Sequence, residues 1–188
     1  APQLSPKLSR IPRTLSISPI DQPASLPQTD RIVFIRLGLM MFFLFTPISC
    51  WWVTVATYIE QNTGQLGIGT FSPGFVGMAY STGAIGAIIS PLIWGVITDR
   101  WFSAEKVMAG LQLVCGIILW NLAGATSQAV WWWAMLAYAF CFSPLMGLCN
   151  AVCFRHLSDP ERSYPPIRAL GTLSWVMGGW LIGYLARW

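Results

Sequence analysis

Charge is what this chain has least of. Only 10% of its 188 residues are Asp, Glu, Lys or Arg, whereas a soluble domain carries about 25%. Hydrophobic residues make up 55%, and the mean hydropathy is +0.57. That balance excludes an ordinary soluble domain and implies a chain integral to a membrane. Acidic residues are especially few, seven in all, and none lies deep in an apolar run. No nucleophile–base pair, phosphate-binding loop or metal motif appears, so neither an enzyme nor a resident cofactor is expected. The net charge of +4 does not point to nucleic acid, because the basic residues punctuate apolar runs and form no stripe.

Residues 1–30 also lack a long apolar run, including the h-region of a signal peptide. They are rich in Pro and Ser and read as a disordered tail, which cannot bury enough apolar surface to offset its ordering entropy. Lys7, Arg10 and Arg13 read as solvated charge, with contact to anionic lipid headgroups as the alternative.

From Arg31 onward the pattern is that of an all-α, polytopic transmembrane bundle occupying 31–188. About 20 mostly apolar residues cross a bilayer core, and five runs qualify: 37–59, 73–98, 105–125, 130–154 and 166–186. Prolines open the second and the fifth. Each is expected to be helical, since backbone polar groups find no water in lipid. Arg31, Arg36, Arg100, Lys106, Arg155, Arg162 and Arg168 cluster at one set of span ends, and the other two loops hold no Lys or Arg. The positive-inside bias then puts the N-terminus in the cytoplasm. Trp131, Trp132 and Trp133 are expected at the outer interface as an aromatic belt.

Small residues recur at helical spacing: Gly83 and Gly86 in the second run, and Gly178, Gly179 and Gly183 in the fifth. Gly179 and Gly183 form a G-x-x-x-G, which lets helix backbones approach closely. The five cysteines lie inside runs. Cys149, Cys153 and His156 have ligand-like spacing, but no second cluster completes a zinc site. Buried, inert thiols are the expectation, with His156 at headgroup level.

Several stretches resemble a known family. "GVITDRW" (95–101) resembles the loop after the second helix of major facilitator superfamily transporters, with Gly95, Asp99 and Arg100 matching. "PPIRALGT" (165–172) resembles the fifth helix of the nucleoside:proton symporters of that superfamily. "GLCNAV" (147–152), "FSAEKV" (102–107) and the W-x-x-T-x-x-x-Y spacing of Trp51, Thr54 and Tyr58 resemble the fourth helix, second loop and first helix of the same family. The resemblance runs in order over about 40–188. It implies the N-terminal part of a twelve-helix fold, ending before the sixth helix, with a missing C-terminal half as partner. It also implies symport of a small nucleoside with a proton, by alternating access, across the plasma (inner) membrane.

The candidate site follows from helix geometry and from this resemblance. At ~100° per residue, Arg168, Thr172, Trp175 and Gly179 share one helix face. They offer guanidinium donors, a hydroxyl and an indole. A guanidinium suits the acceptors of a nucleoside, and an aromatic ring can stack on its base. The alternative for Arg168 is a snorkelling anchor at the cytoplasmic end. The resemblance implies that Arg168, Thr172 and the aromatic at 175, where the family usually has Phe, line the nucleoside cavity. Asn150, Trp51 and Thr54 are further candidates, Asn150 with the alternative of joining two helices. Gly95, Asp99 and Arg100 are expected to form a gate latch, Asp99 capping a facing helix N-terminus. Glu60 lies at an outer span end and is not taken as the proton carrier. The remaining readings are a sugar or oligosaccharide symporter of the same superfamily, and a membrane scaffold that transports nothing.

Overall fold

The computed structural model describes residues 28–63 and 71–185, with no side chains described for 28–30 or for Asp99. The described residues form six helices: α1 (Gln28–Trp52), α2 (Val55–Gln61), α3 (Phe75–Arg100), α4 (Ala104–Ala123), α5 (Gln128–His156) and α6 (Pro160–Leu185). Residues 1–27 of the expected tail lie outside the described residues. The tail's last three residues are helical instead, because α1 opens at Gln28.

The first apolar run is not one helix. Thr54 Oγ1 donates to the carbonyls of Cys50 (3.2 Å) and Trp51 (3.1 Å). The Thr54 amide donates to Trp51 O at 3.1 Å, three residues back. The side chain thus competes for carbonyls that a continuous helix would use, and the helix is interrupted at Val53–Thr54. Pro47 lies inside α1 without ending it.

The last helix begins six residues before the expected 166. Asp159 Oδ1 accepts a hydrogen bond from the Arg162 amide at 3.2 Å, and Pro160 takes the first helical position, where a missing N–H matters least. Pro165 and Pro166 fall inside α6. The carbonyls they leave unpaired belong to Glu161 and Arg162, both exposed residues.

Four segments, 31–61, 75–98, 104–123 and 128–156, are long and apolar enough to cross a membrane by length and composition. α6, diluted by Arg168 and several glycines, is not among them. The helices pair as α1 along α6, α3 along α5, and α4 on α5. A large core joins Met41, Leu44 and Phe45 of α1 to Met108 and Leu111 of α4, Phe142 and Leu145 of α5, and Ile167 of α6. A second cluster gathers Ile59, Phe71, Phe75, Trp131 and Met135.

Gly86 and Gly178 sit at close helix contacts. A Cβ at Gly86 would lie 2.7 Å from the backbone carbon of Ala139, so α3 and α5 touch backbone to backbone. A Cβ at Gly178 would overlap Ser49 Oγ, which seats α6 on α1. Gly179 and Gly183, expected to make such a contact, meet nothing within 4 Å. α6 packs through Ile167, Gly171, Ser174 and Gly178, a stripe rotated one residue from the G-x-x-x-G.

The tryptophan triplet also divides. Trp131 is only 7% exposed, donates its Nε1–H to Ala125 O at 3.0 Å and stacks on Tyr58 at 5.2 Å. It is a core residue rather than part of a belt, because the helical period turns one member of any adjacent triplet inward. Trp133 stays 65% exposed.

Candidate functional site

α1 and α6 run parallel, since Phe45 lies against Gly171 and Ser49 against Gly178. A polar seam ties them: Thr46 Oγ1 and Ser174 Oγ are 2.9 Å apart, and Ser49 Oγ donates to Ser174 O at 3.3 Å. Beside this seam, α6 carries the stripe Tyr164, Arg168, Thr172, Trp175 and Gly179, at i, i+4, i+8, i+11 and i+15.

Arg168 is half-buried. Its Cζ lies 5.2 Å from the centroid of the Phe45 ring. Its Nη1 is buried with no hydrogen-bond partner among the described residues. Among the described residues the ion pair is Arg155–Glu105 at 3.9 Å, so no described carboxylate balances Arg168. A buried charged donor left unpaired costs more than a neutral one, and a guanidinium offers five donors in one plane. Such a group is suited to take an acceptor supplied from outside the protein.

The other predicted residues are spread along a column. Trp175 is half-buried and packs on the larger core, while Thr172 is exposed. Asn150 Oδ1 accepts from the Tyr164 hydroxyl at 2.8 Å, so α5 and α6 are bonded one turn below Arg168. Trp51 stands edge-on to Tyr138 at 4.7 Å. Tyr138 is about 18 Å up α5 from Asn150, at 1.5 Å per residue. The hydroxyl of Thr54 is donated to backbone at the break between α1 and α2. Asn150 is thus bonded one turn below Arg168, whereas Trp175 stands about 10 Å further along α6 at 1.5 Å per residue, level with the Thr46–Ser174 contact, and Trp51 and Thr54 lie beyond it towards the end of α1.

Arg100 is exposed and closes α3. A Cβ at Gly95 would meet nothing within 4 Å. The side chain of Asp99 lies outside the described residues, and with it the expected latch. Cys149 is buried, its Sγ 3.5 Å from Met41 Sδ. His156 is exposed, with Nδ1 3.0 Å from Val152 O.

Sequence reasoning did not single out Phe45 or Tyr164 for this site. Tyr164 was within reach of helical spacing, four residues before Arg168. Phe45 had no such signal, because its relation to Arg168 exists only once α1 and α6 pair.

The family model described as "Nucleoside H+ symporter" matches residues 32–187. This chain belongs to the nucleoside H+ symporter family. That family is one of transporters and not of enzymes. Within it, the chain is 34% identical over 152 residues to the protein YegT of Escherichia coli (strain K12), covering 81% of this chain and 34% of that protein. It is 33% identical over 157 residues to the xanthosine permease of the same organism, covering 81% and 36%. A crystal structure of the nucleoside transporter NupG superposes with a TM-score of 0.73 at 26% identity, covering 80% of this chain and 36% of that one. The chain therefore spans about a third of the length of the curated relatives it matches. The nucleoside H+ symporter membership and the apolar helices make it a multi-pass membrane protein with an all-helical, major-facilitator-type fold.

Proposed function

We propose that this chain forms part of the N-terminal half of a nucleoside:proton symporter that works by alternating access. The observation that carries the reading is Arg168: a half-buried guanidinium on α6, with Nη1 unmatched among the described residues, in a chain of the nucleoside H+ symporter family. Arg168 supplies donors to substrate acceptors, Thr172 adds a hydroxyl, and Trp175 stacks on the base. Asn150 and its Tyr164 partner close the column below Arg168, and Trp51 and Thr54 border it towards the other end of α1. Sites of this kind lie near the midplane between two halves that rock about the substrate, and the second half lies outside this chain.

In this reading the protein resides in the plasma (inner) membrane, crosses it five times within 37–186, and keeps its N-terminus in the cytoplasm. Gly95, Asp99 and Arg100 latch the cytoplasmic face. Proton coupling needs an intramembrane carboxylate or histidine. None of the seven acidic residues lies deep in these runs, so the proton site belongs to the second half.

The test is energised uptake by the full-length protein that contains this chain. Uridine is expected to accumulate under an inward proton gradient, with other nucleosides competing and disaccharides not. Competition by a disaccharide and not by nucleosides overturns the nucleoside reading in favour of a sugar symporter. Orientation is tested separately, by a single cysteine at position 103 in a cysteine-free background. An impermeant thiol reagent is expected to leave it unmodified in intact cells, and labelling from outside overturns the assigned topology.

A further inference from the structure

We propose that Phe45 is a positioning residue for Arg168, holding the guanidinium by its ring face so that the in-plane N–H groups stay available to a ligand. The proposal rests on the substrate role given above to Arg168 and adds the group that makes this role workable.

Three observations meet at this point. The Arg168 Cζ lies 5.2 Å from the Phe45 ring centroid, within the ~6 Å reach of a cation–π attraction. The Phe45 ring is itself fixed, being 6% exposed and part of the main core. Gly171, one turn after Arg168, gives the ring its place. A Cβ at 171 would lie 3.0 Å from Phe45 Cδ2 and 3.2 Å from Cε2, so glycine lets the ring lie this close to the α6 backbone without being pushed back. Phe45, Arg168 and Gly171 thus form one unit across the α1–α6 contact.

The physical reason for an aromatic partner concerns the donors. A cation inside a membrane bundle needs compensation. A carboxylate would provide it by accepting two of the guanidinium N–H bonds, the bidentate pairing that Arg favours, and those donors would then be lost to a ligand. An aromatic face attracts the charge through its quadrupole and takes up none of the five N–H donors. The unmatched Nη1 is what such an arrangement leaves behind.

The experiment measures uridine affinity of the purified full-length protein carrying Phe45→Leu, Phe45→Tyr, Gly171→Ala or Arg168→Lys, with membrane level recorded for each. Phe45→Leu keeps the apolar bulk and removes the ring, and is expected to weaken binding about 3- to 30-fold. Phe45→Tyr keeps the ring face and is expected to restore affinity to within a few-fold of wild type. Gly171→Ala is expected to weaken binding by less than Phe45→Leu, since its Cβ presses the ring back without removing it, and wild-type affinity in Gly171→Ala overturns the positioning role if Phe45→Leu does not reach the membrane. Wild-type affinity in Phe45→Leu, or equal losses in the Leu and Tyr variants, overturns the positioning role. If affinity is lost in Arg168→Lys but kept in Phe45→Leu, only the positioning role falls. If Arg168→Lys binds as wild type does, the substrate role of Arg168 falls and the positioning role falls with it.

Discussion

Arg168→Lys in the full-length protein is expected to weaken nucleoside binding roughly 10- to 100-fold while membrane insertion and protein level stay normal. The two readings of this residue diverge here. If Arg168 is an interfacial anchor, the positive charge suffices, because the positive-inside bias counts Lys and Arg alike. If it holds a nucleoside, the planar fork matters, and Lys replaces it with a single rotatable ammonium. Hydrogen bonds to a charged group contribute about 1.5–3 kcal/mol each, and every 1.4 kcal/mol is about tenfold in affinity, so losing one geometrically fixed bond accounts for the expected range. Lys also gives up contact that the flat guanidinium makes with the Phe45 ring. Measured by equilibrium binding of labelled uridine, an affinity within twofold of wild type makes Arg168 an anchor.

The isolated polypeptide of residues 1–188, reconstituted in liposomes, is expected to show no proton-driven uridine accumulation, whereas the full-length protein does. Alternating access requires two halves moving about one site, and this chain spans about a third of its curated relatives. α3 and α6 each turn apolar side chains outward. Ile88 is 73% exposed, Leu92 72% and Trp180 83%. A site bordered by such faces opens to lipid on one side, and no carboxylate in the apolar runs is placed to carry a proton. Uptake by residues 1–188 that collapses on adding a protonophore overturns this expectation. It would mean that copies of the chain complete a pathway together and couple it through a group near a span end, Glu60 or His156.

Much of the architecture was legible in the sequence, and the reason is that hydropathy is a local property. Long apolar runs, separated by short polar stretches, report the membrane whatever their neighbours do. All of the apolar runs have helical cores, because lipid leaves the backbone no other way to satisfy its polar groups. The "PPIRALGT" stretch carried the family for a similar reason, since a run of specific residues at fixed spacing is readable without coordinates. The start of α6 also has a local signal, since Asp159-Pro160 opens a helix, but the Pro165–Pro166 pair competes with it as a second helix-opening signal.

What the tertiary structure alone decided is which face of each helix meets which neighbour. The apolar runs show no single polar and apolar side, so their periodicity does not say where the bundle lies. Hence Gly178, and not the Gly179–Gly183 pair, makes the close contact of α6 with α1. Hence Trp131 turns inward while Trp133 faces out. Side-chain competition at Thr54 likewise interrupts a run that hydropathy reads as continuous. For the site, the sequence by itself determined that Arg168, Thr172 and Trp175 share a face, because that follows from 3.6 residues per turn. It did not determine what lies opposite. Phe45 beneath the guanidinium and Tyr164 bonded to Asn150 come from helix pairings between distant segments. Packing between small residues sets those pairings, and no local pattern encodes it.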